Sequence, residues 1–178
     1  MGSDKALLQL EAGGERLWER QVRVLRSLGA REILWSGPPR PGIPGDLRVV
    51  PDGAPDSGPL SGICACLGRM ESDLLVVIGV DLPGMEAAYL RKLVLLSEAG
   101  RGAVPRGEFF EPMAAVYPRT MATLAADHLA RGRLSLQELL GSAEAAGLVR
   151  AVPVGGDEAP LFRNLNTPAD LRARPGNP

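Results

Sequence analysis

Asp81 ends an almost unbroken aliphatic run, Asp73-Leu-Leu-Val-Val-Ile-Gly-Val-Asp-Leu-Pro-Gly84, and Asp52 lies just past a shorter apolar run, Leu47 to Val50. A carboxylate at such a place, where open parallel sheets put their ligands, is suited to holding a divalent metal against phosphate oxygens. A second reading of Asp81 stays open: Asp is a favoured helix N-cap, and Pro83 fits a first helical turn. Asp52 likewise sits in Pro51-Asp52-Gly53, which is good turn chemistry. The segment Gly58-Pro59-Leu60-Ser61-Gly62-Ile63 follows, with a proline suited to a helix start and glycines that let backbone approach a neighbour or ligand closely. Ser36, at the end of a short strand in the same region, is a further candidate. Asn164 and Asn166, ahead of a last helix, either bind substrate or satisfy backbone groups.

Other reactive residue types carry less. His128, the single histidine, lies on an apolar helical stripe far in sequence from any base partner, and reads as a partly buried packing residue. Cys64 and Cys66 are two apart in a predicted helix and so point to different faces; with no further Cys or His cluster they read as core or surface thiols.

The elements that must position these residues follow from periodicity. Leu74 to Val80 lacks polar alternation and predicts a strand buried on both faces. Glu15 to Leu28 carries Trp18, Val22 and Leu25 at helical spacing, with Gly29 as a stop. Short strands are predicted at Arg31 to Trp35 and Leu47 to Val50, separated by the proline-enforced loop of Pro38, Pro39, Pro41 and Pro44. Ile63, Leu67 and Met70 continue one helix, and Met85 to Ala99 forms another. Arg101 to Val104, Met113 to Tyr117 and Val149 to Val154 are strand candidates. Helices are predicted from Met121 to Leu129 and after Ser135, where Glu138 completes a capping box. Alternating strands and helices predict a mostly parallel sheet covered by helices on its faces.

With 178 residues, 45% hydrophobic, 23% charged and a formal net charge of -1, the chain fits one domain over residues 1–174 and a short tail, Pro175 to Pro178. The absence of a basic surplus argues against bulk nucleic-acid binding, and no apolar run of about 18 residues is available to cross a membrane. The first residues carry no signal-peptide pattern, so a cytoplasmic location is expected.

Taken in order, Met-Gly-Ser-Asp-Lys5-Ala-Leu-Leu, Asp52 before Gly-Pro-Leu-Ser-Gly-Ile, Val-Asp81-Leu-Pro and Asn-Thr-Pro-Ala-Asp-Leu171 resemble the molybdenum cofactor guanylyltransferase (MobA) family nearly end to end. The resemblance implies a three-layer, Rossmann-like α/β nucleotidyltransferase that uses GTP and Mg²⁺ to attach GMP to the phosphate of molybdopterin, releasing pyrophosphate. It implies that Lys5 contacts nucleotide, Asp52 binds nucleotide and Asp81 binds magnesium. A lysine and a divalent cation would offset the charge repulsion between two phosphates, and no protein nucleophile is required. Molybdoenzymes or their chaperones are expected partners.

Family members begin with a buried strand and a glycine-rich Leu-Ala-Gly-Gly segment before the Asp-Lys pair, and this sequence begins at the last Met-Gly of that segment. Ala12-Gly13-Gly14 follows Lys5 and does not replace it. The expectation is therefore a sheet lacking its first strand, with the true start upstream and impaired activity for the sequence as written. Three alternatives are transfer of CMP to molybdopterin, nucleotidyl transfer to a sugar phosphate, and a noncatalytic module that binds molybdopterin or a protein.

Overall fold

The computed structural model describes residues 14–39, 42–53 and 57–164. The first helix, α1 (Leu17–Ser27), is opened by Glu19, whose carboxylate accepts the backbone N–H of Arg16 at 2.8 Å. It stops at Gly29, which takes a φ of 75° and donates its N–H to Arg26. Two short parallel strands come next, β1 (Leu34–Ser36) and β2 (Arg48–Val50), paired in register Leu34 to Arg48 and Ser36 to Val50. Helix α2 (Gly58–Arg69) carries Pro59 in its first turn, where a missing N–H costs nothing.

The second sheet is built from β3 (Leu74–Ile78), β4 (Gly102–Arg106), β5 (Ala114–Pro118) and β6 (Val149–Pro153), in the spatial order β3-β5-β4-β6. β5 runs antiparallel to both of its neighbours, and β4 runs parallel to β6. Three of the four strands therefore share one direction, with β5 reversed among them. The helices are α3 (Ala87–Leu95), α4 (Ala122–Ala130) and α5 (Leu136–Ala145). Ser135 caps α5, accepting the Glu138 N–H at 3.3 Å, a contact of the kind whose removal costs about 1 kcal/mol.

The side-chain period of two divides the core between the faces of this sheet. Val104, Ala115, Tyr117 and Val149 turn one way, onto Leu60, Ile63 and Leu67 of α2, Ala125 of α4 and Leu139 and Leu140 of α5. Ala103, Ala114, Val116 and Val152 turn the other way, onto Val24 of α1 and Tyr89, Leu90 and Leu93 of α3. The result is three layers, as expected. His128 lies on α4 at 1% exposure, more deeply buried than its sequence position implied.

Two sequence expectations shift. The helix predicted over Met85 to Ala99 spans only Ala87–Leu95, because the Ser97 hydroxyl bonds back to Leu93 and Glu98 and Arg101 exchange backbone hydrogen bonds across a tight turn. The strand predicted over Leu74 to Val80 ends at Ile78, and its residues enter both halves of the core but stay only half-buried. The reason is its edge. Among the described residues neither β1 nor β3 has a strand partner besides β2 and β5 respectively, and both line one apolar trough of about 470 Å³. Trp18 and Val22 of α1 bridge the trough, packing with Trp35 of β1 and Val80 beyond β3; the Trp18 and Trp35 rings meet edge-on at 6.1 Å.

Candidate functional site

Two groups of residues sit just past strand ends on the two sides of the trough. On the β1 side, the Ser36 hydroxyl donates to Asp52 Oδ1 at 3.1 Å, tying the residue that closes β1 to the one two places beyond β2. Helix α2 enters this corner at Gly62. A Cβ on Gly62 would lie 2.1 Å from Ser36 Oγ and 3.2 Å from Asp52 Oδ1, so only glycine lets the helix approach this pair. Both Ser36 and Asp52 are exposed, so their oxygens stand open to a polar ligand. Cys66, one turn further along α2, is buried, and burial together with the Asp52 carboxylate pushes its thiol up to about 11, leaving it inert at neutral pH. Cys64 and Cys66 are both free thiols.

On the β3 side, Asp81 occupies the turn that leaves the strand. α3 begins at Ala87 with Glu86 at its N-cap position, so Asp81 caps no helix, and that reading of the sequence is removed. Its carboxylate leans back over Gly79: a Cβ built there would lie 2.6 Å from Asp81 Oδ1. The turn is held from three directions. Gly79 donates its N–H to Met113 O at 2.7 Å; Gln21 of α1 donates to Gly79 O at 3.1 Å and to Leu82 O at 2.8 Å; and Arg20 donates to Pro83 O at 2.7 Å and Met85 O at 3.3 Å. Gln21 and Arg20 are anchors that the sequence reading missed. Their α-helical period was visible, but nothing local links them to a turn some sixty residues later.

The segment that follows β6 returns to this turn. The 3-10 helix Ala159–Phe162 packs on Gly84, where a Cβ would fall 2.9 Å from Pro160 O, and the Phe162 ring meets Tyr89 of α3 edge-on at 5.3 Å. Lys92 binds Glu158 at 2.6 Å and draws the Glu158 carboxyl below its usual range. Tyr89 is pushed up to about 12, chiefly by burial, with Glu158 and Glu111 adding repulsion. Asn164, two residues past Phe162, is exposed. Lys5 and Asn166 lie outside the described residues, as does the Thr-Pro-Ala-Asp sequence of the expected last helix.

No group of three His, Cys, Asp or Glu side chains stands ready to hold a metal among the described residues. A lone carboxylate on a turn is nevertheless a donor set that fits Mg²⁺, which usually keeps several waters and takes one or two carboxylates together with substrate phosphates. Among the described residues no helix is long and apolar enough to cross a membrane.

Residues 1–158 match the family described as the MobA-like NTP transferase domain. A protein of Opitutus terrae described as a probable molybdenum cofactor guanylyltransferase is 35% identical over 176 residues, covering 96% of this chain and 86% of that protein. Among solved structures, a nucleotidyl transferase from Methanothermobacter superposes with a TM-score of 0.73 at 21% identity, covering 96% of this chain and 83% of that one. The molybdopterin-guanine dinucleotide biosynthesis protein A of Archaeoglobus fulgidus superposes with a TM-score of 0.65 at 21% identity, over 96% and 88%. These two likenesses establish a nucleotidyltransferase fold.

Proposed function

The chain belongs to the MobA-like NTP transferase family, and from that membership we propose that it transfers GMP from GTP to the phosphate of molybdopterin. A molybdopterin phosphate oxygen attacks the α-phosphorus of GTP, the bond from that phosphorus to the bridging oxygen breaks, and pyrophosphate leaves. The observation that carries this reading is the near end-to-end similarity to a guanylyltransferase relative. Two strand-end groups across one trough, Ser36 with Asp52 and the turn of Asp81, support it as places for a nucleotide and its phosphates.

In this reading Mg²⁺, held by Asp81, offsets the charge gathered on the phosphates when bound. Asp52 and Ser36 hold polar groups of the nucleoside, and Lys5 contacts the nucleotide phosphates. Asn164, two residues past the 3-10 helix that packs on the Asp81 turn, contacts the second substrate together with Asn166. No side chain has to act as nucleophile or base, because the attacking phosphate is already anionic at neutral pH and positioning with charge compensation suffices. The reading is completed by a cytoplasmic location and by molybdoenzymes or their chaperones as receivers of the product.

Isothermal titration with GTP, with and without Mg²⁺, tests the function. Mg²⁺-dependent GTP binding supports it; molybdopterin or protein binding with no nucleotide binding would overturn it in favour of a noncatalytic module, and preference for CTP would move it to the cytidylyl reaction.

A further inference from the structure

We infer that Gln21 is a positioning residue that fixes the direction of the Asp81 carboxylate; the inference rests on the reading of Asp81 as the magnesium-binding residue. Gln21 is 3% exposed, and both hydrogens of its amide go to carbonyl oxygens that bracket Asp81, Gly79 O two residues before it and Leu82 O one residue after. Neither carbonyl needs Gln21 to be satisfied. Gly79 O also accepts from Leu82 N at 3.3 Å, and Leu82 O accepts from Met85 N at 3.1 Å. What Gln21 adds is a fixed separation between the two peptide groups, set by the span of one planar amide.

That separation reaches the carboxylate through Gly79. Asp81 Oδ1 lies over the Gly79 α-carbon, at 2.6 Å from where a Cβ would stand, so a shift of Gly79 moves the surface against which the carboxylate rests. The other face of the turn is fixed to β5's approach by the Gly79 to Met113 hydrogen bond, which leaves α1 as the support that sets how the turn is angled. The opposite end of the same amide gives an independent sign of its purpose. Gln21 Oε1 is buried and has no hydrogen-bond partner among the described residues, which is an unfavourable state for a polar atom. A methionine would fill the same space without that burden, so the advantage of glutamine lies in its two donors. Arg20 extends the grip to Pro83 O and Met85 O, and one turn of α1 thereby holds four carbonyls of a seven-residue stretch. Mg²⁺ demands near-ideal octahedral geometry at short distances, so a carboxylate that ligates it must be held in one orientation.

The test uses Mn²⁺ as the probe, with free Mn²⁺ followed by electron paramagnetic resonance in the presence of GTP, and compares the parent chain with Gln21→Met, Asp81→Asn and Leu139→Ala. Leu139→Ala lowers stability from the far side of the sheet without touching the turn. Gln21→Met is expected to weaken Mn²⁺ binding about ten- to a hundredfold, the range for residues that orient a ligand, with a Tm no lower than that of Leu139→Ala and GTP affinity in the absence of metal unchanged. If the parent binds no Mn²⁺, or Asp81→Asn binds it as the parent does, the reading of Asp81 fails and the inference falls with it. If Asp81→Asn loses Mn²⁺ but Gln21→Met keeps it, or Leu139→Ala weakens it equally, Gln21 serves only to dock α1 and the inference alone is overturned.

Discussion

The Ser36 hydroxyl and the Asp52 carboxylate meet at 3.1 Å, joining two strands' ends at a corner that helix α2 enters through Gly62. Sixteen residues separate them in sequence, and the pair forms only because β1 and β2 run parallel in a register that sets Ser36 against Val50.

The corner makes Gly62→Ala informative. Helix propensity alone favours alanine by about 1 kcal/mol, but the new Cβ would stand 2.1 Å from Ser36 Oγ and force that short, exposed side chain away from Asp52. GTP affinity is expected to fall about tenfold, equivalent to about 1.4 kcal/mol, while the protein stays folded. Titration calorimetry with a thermal melt checks both, and unchanged affinity would remove the corner from the nucleotide site.

Asp81→Asn keeps the size of the side chain and removes its charge. Because no hydrogen bond of the fold depends on the carboxylate among the described residues, Tm should stay near that of the parent while Mg²⁺-dependent turnover is lost. Pyrophosphate release from GTP in the presence of molybdopterin and Mg²⁺ checks this; near-normal turnover would take Asp81 out of the metal role.

The Lys92–Glu158 pair gives a pH dependence. The folded carboxyl of Glu158 is lowered from 4.5, first by the Lys92 hydrogen bond and then by the Gly155 N–H. A lowered folded value means that the stabilisation is present above the unfolded value and disappears as pH falls through the folded one. Acidification below about pH 4.5 should therefore loosen the 3-10 helix Ala159–Phe162 from α3 ahead of the core, read as faster exchange at Leu161 and Arg163. Glu158→Gln should remove that pH step; its persistence would assign the step to another carboxyl. The pair is largely solvated, so the effect on global stability is small.

Much of this molecule was determined by the sequence alone. The period of two in β4 and β5 and the period of 3.6 in α2, α4 and α5 fix which residues face which side of the sheet, since burial of apolar area acts on each element locally. The family resemblance was legible too, carried by short motifs in order. What the sequence could not decide was long-range: that β5 is reversed between β3 and β4, that α3 stops at Leu95, and that Asp81 leaves α3 uncapped. These outcomes depend on which strand edges find partners and which carbonyls find donors, and both are settled only when distant segments pack. The same holds for Gln21, whose donors reach Gly79 and Leu82 because α1 lies across the trough. A residue's type marks it as capable of a hydrogen bond; only tertiary packing selects the partner.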